Sequence, residues 1–387
     1  MRSRLIAALA AGLAVGAGIA NAAEPPKDPS VFELGAILAM TGSAPYYGEV
    51  MSRGIELAVK EINAAGGIDG IKLNVTIEDH KSGKAKEGVA GMQRLLSLHN
   101  TKAVLSSFSA PTLAIAPIAD REKIFVINGG GVSAKLIKAS KYMVHNRQLS
   151  SSLAAAIADL AKKRGYKTMA VIHWKDAAGD SVRDVLAENW KGDGRKIVAA
   201  ESVVQGAANI DTQVAKIRAS RPDVVALGVF QPEVGLAVKR LRELGVKVPI
   251  IGVEWTEEDA KIAGKHAEGY EYMLEVFKPT ADNPWSQQFA KAYREAYNQE
   301  PDIFSGNYYE ATYVIAELIK RARAKGGDYW SGDKLYEAIW DNPTFKSVYG
   351  KTMKFDPETG LAEKPLAHFK VGADGKGKFI AYVEKAD

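Results

Sequence analysis

The sequence predicts an α/β protein of two lobes, each a parallel sheet covered by helices on both faces. Three observations predict it. Short apolar runs alternate with amphipathic segments of helical spacing, which is the pattern of parallel strands joined by helical crossovers. That rhythm runs from residue 32 to residue 127 and then restarts near residue 168. The chain of 387 residues is also longer than the ~100–200 residues usual for one domain.

In the first series, residues 32–38 read as a strand. Residues 48–65 follow with helical spacing at Ile55, Leu57, Ala58, Val59 and Ile62, and Gly66-Gly67 stops them. Residues 72–78 alternate as a strand and 84–100 read as a helix. Residues 103–106 and 124–127 are short buried strands around a helix over 112–122. In the second series, 168–173, 197–203, 224–228 and 249–253 are strands, separated by helical stretches 180–190, 211–220 and 232–244. Long helical patterns at 285–297, 305–324 and 334–340 follow with no new strand series. They need a sheet to cover, and the first lobe has surface to spare, so the chain is expected to cross between lobes more than once.

Composition narrows the function. Hydrophobic residues at 47% and charged residues at 25% are ordinary globular values. The chain opens with Arg2 and Arg4, runs apolar from Leu5 to Ile19 and reaches Ala20-Asn21-Ala22. These are the three parts of a secretory signal peptide over residues 1–22, cleaved after Ala22 and placing the mature chain in a bacterial periplasm. The apolar run is short and rich in Ala and Gly, which argues against a membrane anchor. The formal charge is +5, two units of it from Arg2 and Arg4, and the other basic residues are interspersed with acidic ones. No nucleic-acid partner is expected from that distribution. The absence of cysteine removes disulfides, thiolate nucleophiles and Cys-based metal sites. His80, His99, His145, His173, His266 and His368 never fall at metal-ligand spacing, so neither a metal nor a cofactor is expected.

Ligands of open parallel sheets sit beyond the carboxyl ends of the strands. The loops at those ends are 39–47, 107–112, 128–133, 173–180, 229–232 and 253–256. Residues 106–112 (SSFSAPT) set small hydroxyls just before a helix, where oxygens and free N–H groups can hold a carboxylate. Asn128-Gly129-Gly130-Gly131 lets the backbone approach closely and present N–H groups to an anion. Tyr46, Tyr47, Trp174, Phe230 and Trp255 supply aromatic walls, and Glu254 is the one carboxylate squarely at a strand end. Taken singly, each has a plain structural explanation as a cap, a turn or core. Their coincidence at corresponding ends of two sheets points to a site.

Four segments resemble the type I periplasmic binding proteins of branched-chain amino acid ABC transporters, the Leu/Ile/Val-binding protein family. They are TGSAPYYGEVMSRGIELAVKEINAAGGIDG (41–70), SFSAPTLAIAPIADREKIFVIN (107–128), VFQPEVGLAVKRLRELG (229–245) and IIGVEWTEED (250–259). The resemblance implies two Rossmann-like lobes joined by three crossovers, near residues 143–147, 274–278 and 353–357, with ligand closed into the cleft. The N-terminal lobe would comprise 31–146 and 278–353, and the C-terminal lobe 147–277 and 354–387. It implies capture of a small carboxylate by lobe closure, without chemistry on it, and delivery to an inner-membrane ABC permease; a monomer is expected.

Carried over position by position, the resemblance places Ser109 and Gly131 at the ligand carboxylate. A family threonine is replaced by Val132, with Ser133 next in line. Glu254 falls where the family binds the α-ammonium group, and Tyr47 and Phe230 where aromatics line the pocket. Ala178 stands where the family usually has Tyr, which removes a hydrogen bond and opens volume that Trp174 and Trp255, or a bulkier ligand, would fill. The ligand is then a hydrophobic or branched-chain amino acid, or an aromatic acid such as a benzoate or cinnamate derivative. An enzyme reading is disfavoured, because Ser109 lacks a G-x-S-x-G setting and residues 128–131 are not a dinucleotide fingerprint. A sensory receptor domain would share fold and pocket and differ in its membrane partner. The signal peptide excludes a cytoplasmic repressor.

Overall fold

The computed structural model describes residues 30–326 and 330–383. The signal-peptide reading falls on residues 1–22 and so lies outside the described residues. Among the described residues, no helix is long and apolar enough to cross a membrane.

The first sheet is built by β1 (Val31–Leu38), α1 (Pro45–Ala64), β2 (Lys72–Asp79), α2 (Ala85–His99), β3 (Ala103–Ser106), α3 (Ser109–Glu122), β4 (Phe125–Asn128) and β5 (Met143–His145). Its five strands run parallel in the order β2-β1-β3-β4-β5. β3 (AVLS) and β4 (FVIN) are buried over their whole length, which is why they read as continuous apolar runs. α1 starts with Pro45 in its first turn, where the missing N–H costs nothing, and ends at two glycines of positive φ.

The second sheet follows the same plan with α4 (Ser150–Lys163), β6 (Thr168–Trp174), α5 (Ala177–Asn189), β7 (Lys196–Val203), α6 (Asp211–Ala219), β8 (Val224–Gly228), α7 (Glu233–Glu243), β9 (Ile250–Gly252), α8 (Glu257–Ala263) and β10 (Glu271–Glu275). The chain then returns to the first lobe. α9 (Pro284–Tyr297) and α10 (Ile303–Ala324) lie against α1, and α11 (Gly332–Asp341) lies near β4. β11 (Thr344–Lys346) and β12 (Thr352–Lys354) form a small antiparallel ribbon. Residues 355–362 stay with the first lobe through the bridges His145↔Leu361 and Phe355↔Ala362. The third passage to the second sheet therefore lies some residues beyond 353–357.

There the chain adds β13 (Leu366–Val371) and β14 (Gly377–Tyr382), giving the order β14-β13-β10-β9-β8-β6-β7. The sequence pattern did not reveal this hairpin. β13 pairs antiparallel with β10, and β14 is an edge strand exposed along its whole length, so it carries no apolar alternation. β5 and β10 were likewise read only as crossover segments, because His145 in β5 and Glu271 and Glu275 in β10, polar though buried, interrupt the apolar run.

Candidate ligand-binding cleft

In both sheets the strand order reverses beside the first strand of the lobe, at β1/β3 and at β6/β8. The carboxyl ends at these reversals face each other across the cleft, the position where open α/β sheets bind ligands. A cavity of about 20 Å³, room for about one water, lies there. Lobe one lines it with Tyr47, Met51, Phe108, Ser109, Gly130 and Val132, and Arg147 follows on the passage out of β5. Lobe two contributes Trp174, Ala178, Phe230 and Glu254.

Aromatic rings form the walls. The Phe108 and Trp174 rings, one from each lobe, lie 25° from parallel with centroids 6.3 Å apart. Phe230 packs against Trp174 at 5.0 Å, and Tyr47 meets Phe108 edge-on at 5.5 Å. Phe108 adopts φ +60, a conformation unfavourable for a bulky side chain. It is held there by Tyr47 and by His80, whose ring is 5.0 Å away. His80 donates to or accepts from Ser107 Oγ at 2.8 Å, and burial lowers its pKa to about 4, so it is neutral. Trp174 donates its indole N–H to Glu233 Oε2 at 3.0 Å, leaving only ring surface for the cavity.

Polar groups sit at the two ends. Ser109 Oγ accepts from the N–H groups of Val132 and Ser133, both at 3.0 Å, so its own hydroxyl hydrogen is left to donate. Glu254 is 1% exposed. Its Oε1 accepts from Tyr47 Oη of the opposite lobe and from the Gln231 N–H at 3.2 Å, and its Oε2 has no partner. Burial pushes the Glu254 carboxyl up to about 7, against the lowering effects of the Tyr47 hydroxyl and of Arg147. Tyr47 Oη also accepts from Gln231 N at 3.0 Å, which makes Tyr47 a latch between the lobes.

Of the residues singled out in the sequence, Tyr47, Ser109, Val132, Trp174, Ala178, Phe230 and Glu254 come together around the cavity. Gly131, Ser133 and Trp255 do not line it. Gly131 donates to Asn128 Oδ1 at 2.7 Å, Ser133 caps the short turn after it, and Trp255 donates to the Gly375 carbonyl at 2.9 Å beside Tyr270. The triple glycine serves packing: a Cβ at Gly129 would lie 2.9 Å from the Tyr308 ring, and one at Gly130 2.9 Å from Ser107 Cβ. Met51, Phe108 and Arg147 were not singled out, and Gly130 lines the cavity as part of the glycine loop 128–131. Phe108 sits inside the serine loop, where its position before a helix was the available signal; Met51 and Arg147 left none.

A larger depression, about 1040 Å³, lies on lobe one between α1, α10 and the β11–β12 ribbon. Its walls mix Glu61, Asp282 and Glu317 with Lys320, Arg321, Lys346 and Lys351, and it is remote from the strand ends. Among the described residues, no group of His, Asp or Glu is arranged to hold a metal ion.

Two α/β lobes with a lined cleft at paired strand ends define a solute-binding protein. The chain belongs to the periplasmic binding protein family, which matches residues 32–376, a family of binding proteins and not of enzymes. It is 27% identical over 352 residues to the Leu/Ile/Val-binding protein homolog 1 of Brucella suis biovar 1, covering 89% of this chain and 91% of that one. In fold it is similar to the branched-chain amino acid transporter substrate binding protein of Streptococcus pneumoniae in complex with isoleucine (TM-score 0.79, 24% identity, 91% of this chain and 99% of that one). It is equally similar to an ABC transporter solute binding protein of Rhodopseudomonas palustris BisB5 in complex with 3,4-dihydroxybenzoic acid (TM-score 0.79, 21% identity, 93% and 99%).

Proposed function

We propose that this protein is the extracytoplasmic solute-binding component of an ABC importer, and that its solute is a small aromatic carboxylate. The mature chain, cleaved after Ala22, works as a periplasmic monomer and hands its ligand to an inner-membrane permease. The observation that carries the aromatic reading is the Phe108–Trp174 pair: two near-parallel rings from opposite lobes, 6.3 Å apart. A flat ring in van der Waals contact with both faces needs about 7 Å between them, at the usual carbon–carbon contact of ~3.5 Å. A small opening of the lobes therefore admits a planar ring. Ala178 in place of a larger side chain leaves room at the lobe-two end, and Val132 and Met51 complete an apolar surround.

At the lobe-one end the Ser109 hydroxyl donates to the carboxylate. At the other end Glu254 Oε2 accepts from a ring hydroxyl. A leucine-like amino acid is the second reading, favoured by the same atom: a buried carboxylate oxygen without a partner also suits an α-ammonium group.

The test is a fluorescence titration of ligand-stripped, refolded mature protein, in which Trp174 on the cavity wall is one of six tryptophans. Benzoate, 4-hydroxybenzoate and cinnamate are compared with leucine and isoleucine. Saturable binding of the aromatic acids, tighter than the aliphatic amino acids, is the expected result. Binding of leucine and isoleucine alone would replace the aromatic reading with the second one.

A further inference from the structure

We propose that Arg147 is the residue that selects an anionic ligand, its Nη2 donating directly to the ligand carboxylate. This rests on the reading of the cleft as a carboxylate site and adds the group that supplies the countercharge. Arg147 is 2% exposed and lines the cavity together with Ser109 and Glu254. Its Nε donates to the Gln148 carbonyl at 3.3 Å and its Nη1 to the Gly130 carbonyl at 3.0 Å. These bonds, with the Phe304 ring 5.6 Å from the guanidinium carbon, fix the plane of the group. Nη2 alone has no hydrogen-bond partner.

A buried, charged nitrogen with two idle hydrogens is costly unless something accepts from them. The neighbouring carboxylate, Glu275, lies 3.9 Å from Nε and balances the charge without reaching Nη2. Glu275 Oε1 is itself engaged by the Gln148 N–H at 2.6 Å. The Ser109 hydroxyl offers one hydrogen and Arg147 Nη2 offers two, so lobe one and the passage beside it present three donors to two carboxylate oxygens. A neutral amide of the same shape offers one acceptor oxygen where the acid offers two, turns an NH2 donor toward the remaining donor hydrogens, and brings no charge to meet the guanidinium. Selection is therefore for charge, not merely for a hydrogen-bond acceptor.

Arg147 and Gln148 lie on the first passage between the lobes, and Glu275 ends β10 at the second. An anion on Nη2 thus also braces the two strands that must bend when the lobes move. Position and charge coincide in one residue.

The test pairs each acid with its amide: benzoate with benzamide, 4-hydroxybenzoate with 4-hydroxybenzamide, and leucine with leucinamide. Dissociation constants are measured by calorimetry for the wild-type mature protein, Arg147→Gln and Arg147→Lys. The wild type is expected to prefer the acid of its cognate pair by about a hundredfold, as for a desolvated charge pair. Arg147→Gln should reduce that preference to within about tenfold, and Arg147→Lys should restore most of it. A purely structural arginine would change both affinities together and leave their ratio alone. Should Arg147→Gln fail to fold, Arg147→Gln/Glu275→Gln, which removes the cation with its countercharge, takes its place. The proposal is overturned by a folded Arg147→Gln variant, or the double variant in its place, that keeps the wild-type ratio, or by a wild type indifferent to acid and amide. A wild type that binds no acid on the panel overturns the carboxylate reading as well, so the two failures are distinguishable.

Discussion

In the proposed function, Glu254 is the side chain whose ionisation the ligand must meet. Its carboxyl is held at about 7 by burial, against 4.5 for an ordinary glutamate. The folded protein therefore binds more protons than the unfolded chain between those values, and stability contributed by the neutral form is lost as pH rises through 7, by about 3 kcal/mol in total. A ligand that donates to Glu254 reverses the preference and favours the ionised form. Binding should then release protons near pH 6.5, and affinity should fall as pH falls below 7. Calorimetry in two buffers of different ionisation enthalpy reads this; proton uptake on binding would contradict it. If the donor is an ammonium group, Glu254→Gln should weaken binding by about 2–5 kcal/mol, whereas a loss below about 0.5 kcal/mol would exclude that pairing. At this scale the sequence was half legible. Glu254, Ser109 and the aromatic residues stand at strand ends, where position alone suggests a role. Arg147 follows a three-residue strand, and nothing in its spacing says that its guanidinium turns inward. Ser133 and Trp255 adjoin cavity residues but face away, because local caps and the β13–β14 hairpin engage them.

The helices and strands were more legible than the site, since burial on two faces writes itself into apolar runs and 3.6-residue spacing. What spacing does not show is which helices touch. α1 crosses α10 closely enough that a Cβ at Gly54 would lie 2.3 Å from the Ser305 carbonyl oxygen. This is the contact that brings the late helices back to lobe one. Gly54→Ala should cost about 1–3 kcal/mol, the usual penalty of overpacking, read as a lower urea midpoint. An unchanged midpoint would mean that the two helices are not pressed together. The C-terminal hairpin escaped sequence reading for the opposite reason: β14 buries nothing, so there is no pattern to find.

On the scale of the whole molecule, the first and third passages between lobes are tied at one buried cluster. Lys364, on the third, donates to the Asn146 carbonyl at 2.9 Å on the first and to Asn307 Oδ1 at 2.5 Å on α10. It also pairs with Glu310 at 2.5 Å, both side chains fully buried. Gln148 Nε2 returns a bond to the Lys364 carbonyl at 3.2 Å. Lys364→Met leaves Glu310 charged and unpaired, and should destabilise the protein by about 3–5 kcal/mol in equilibrium unfolding. A smaller change than about 1 kcal/mol would mean that water replaces the lysine. The repeated α/β series made two lobes readable in the sequence, but this cluster draws on residues 146, 307, 310 and 364, too far apart for any local signal. The cluster ties the lobes together, and in the proposed function their closure joins lobe-one donors to Glu254 across one small cavity. The central claim is that this closure is driven by a small carboxylate. The most direct measurement is thermal unfolding of ligand-stripped mature protein against a panel of aromatic acids and amino acids. A ligand at a hundred times its dissociation constant should add about 2.7 kcal/mol, seen as a clear rise in Tm. No rise with any carboxylate on the panel would contradict the account.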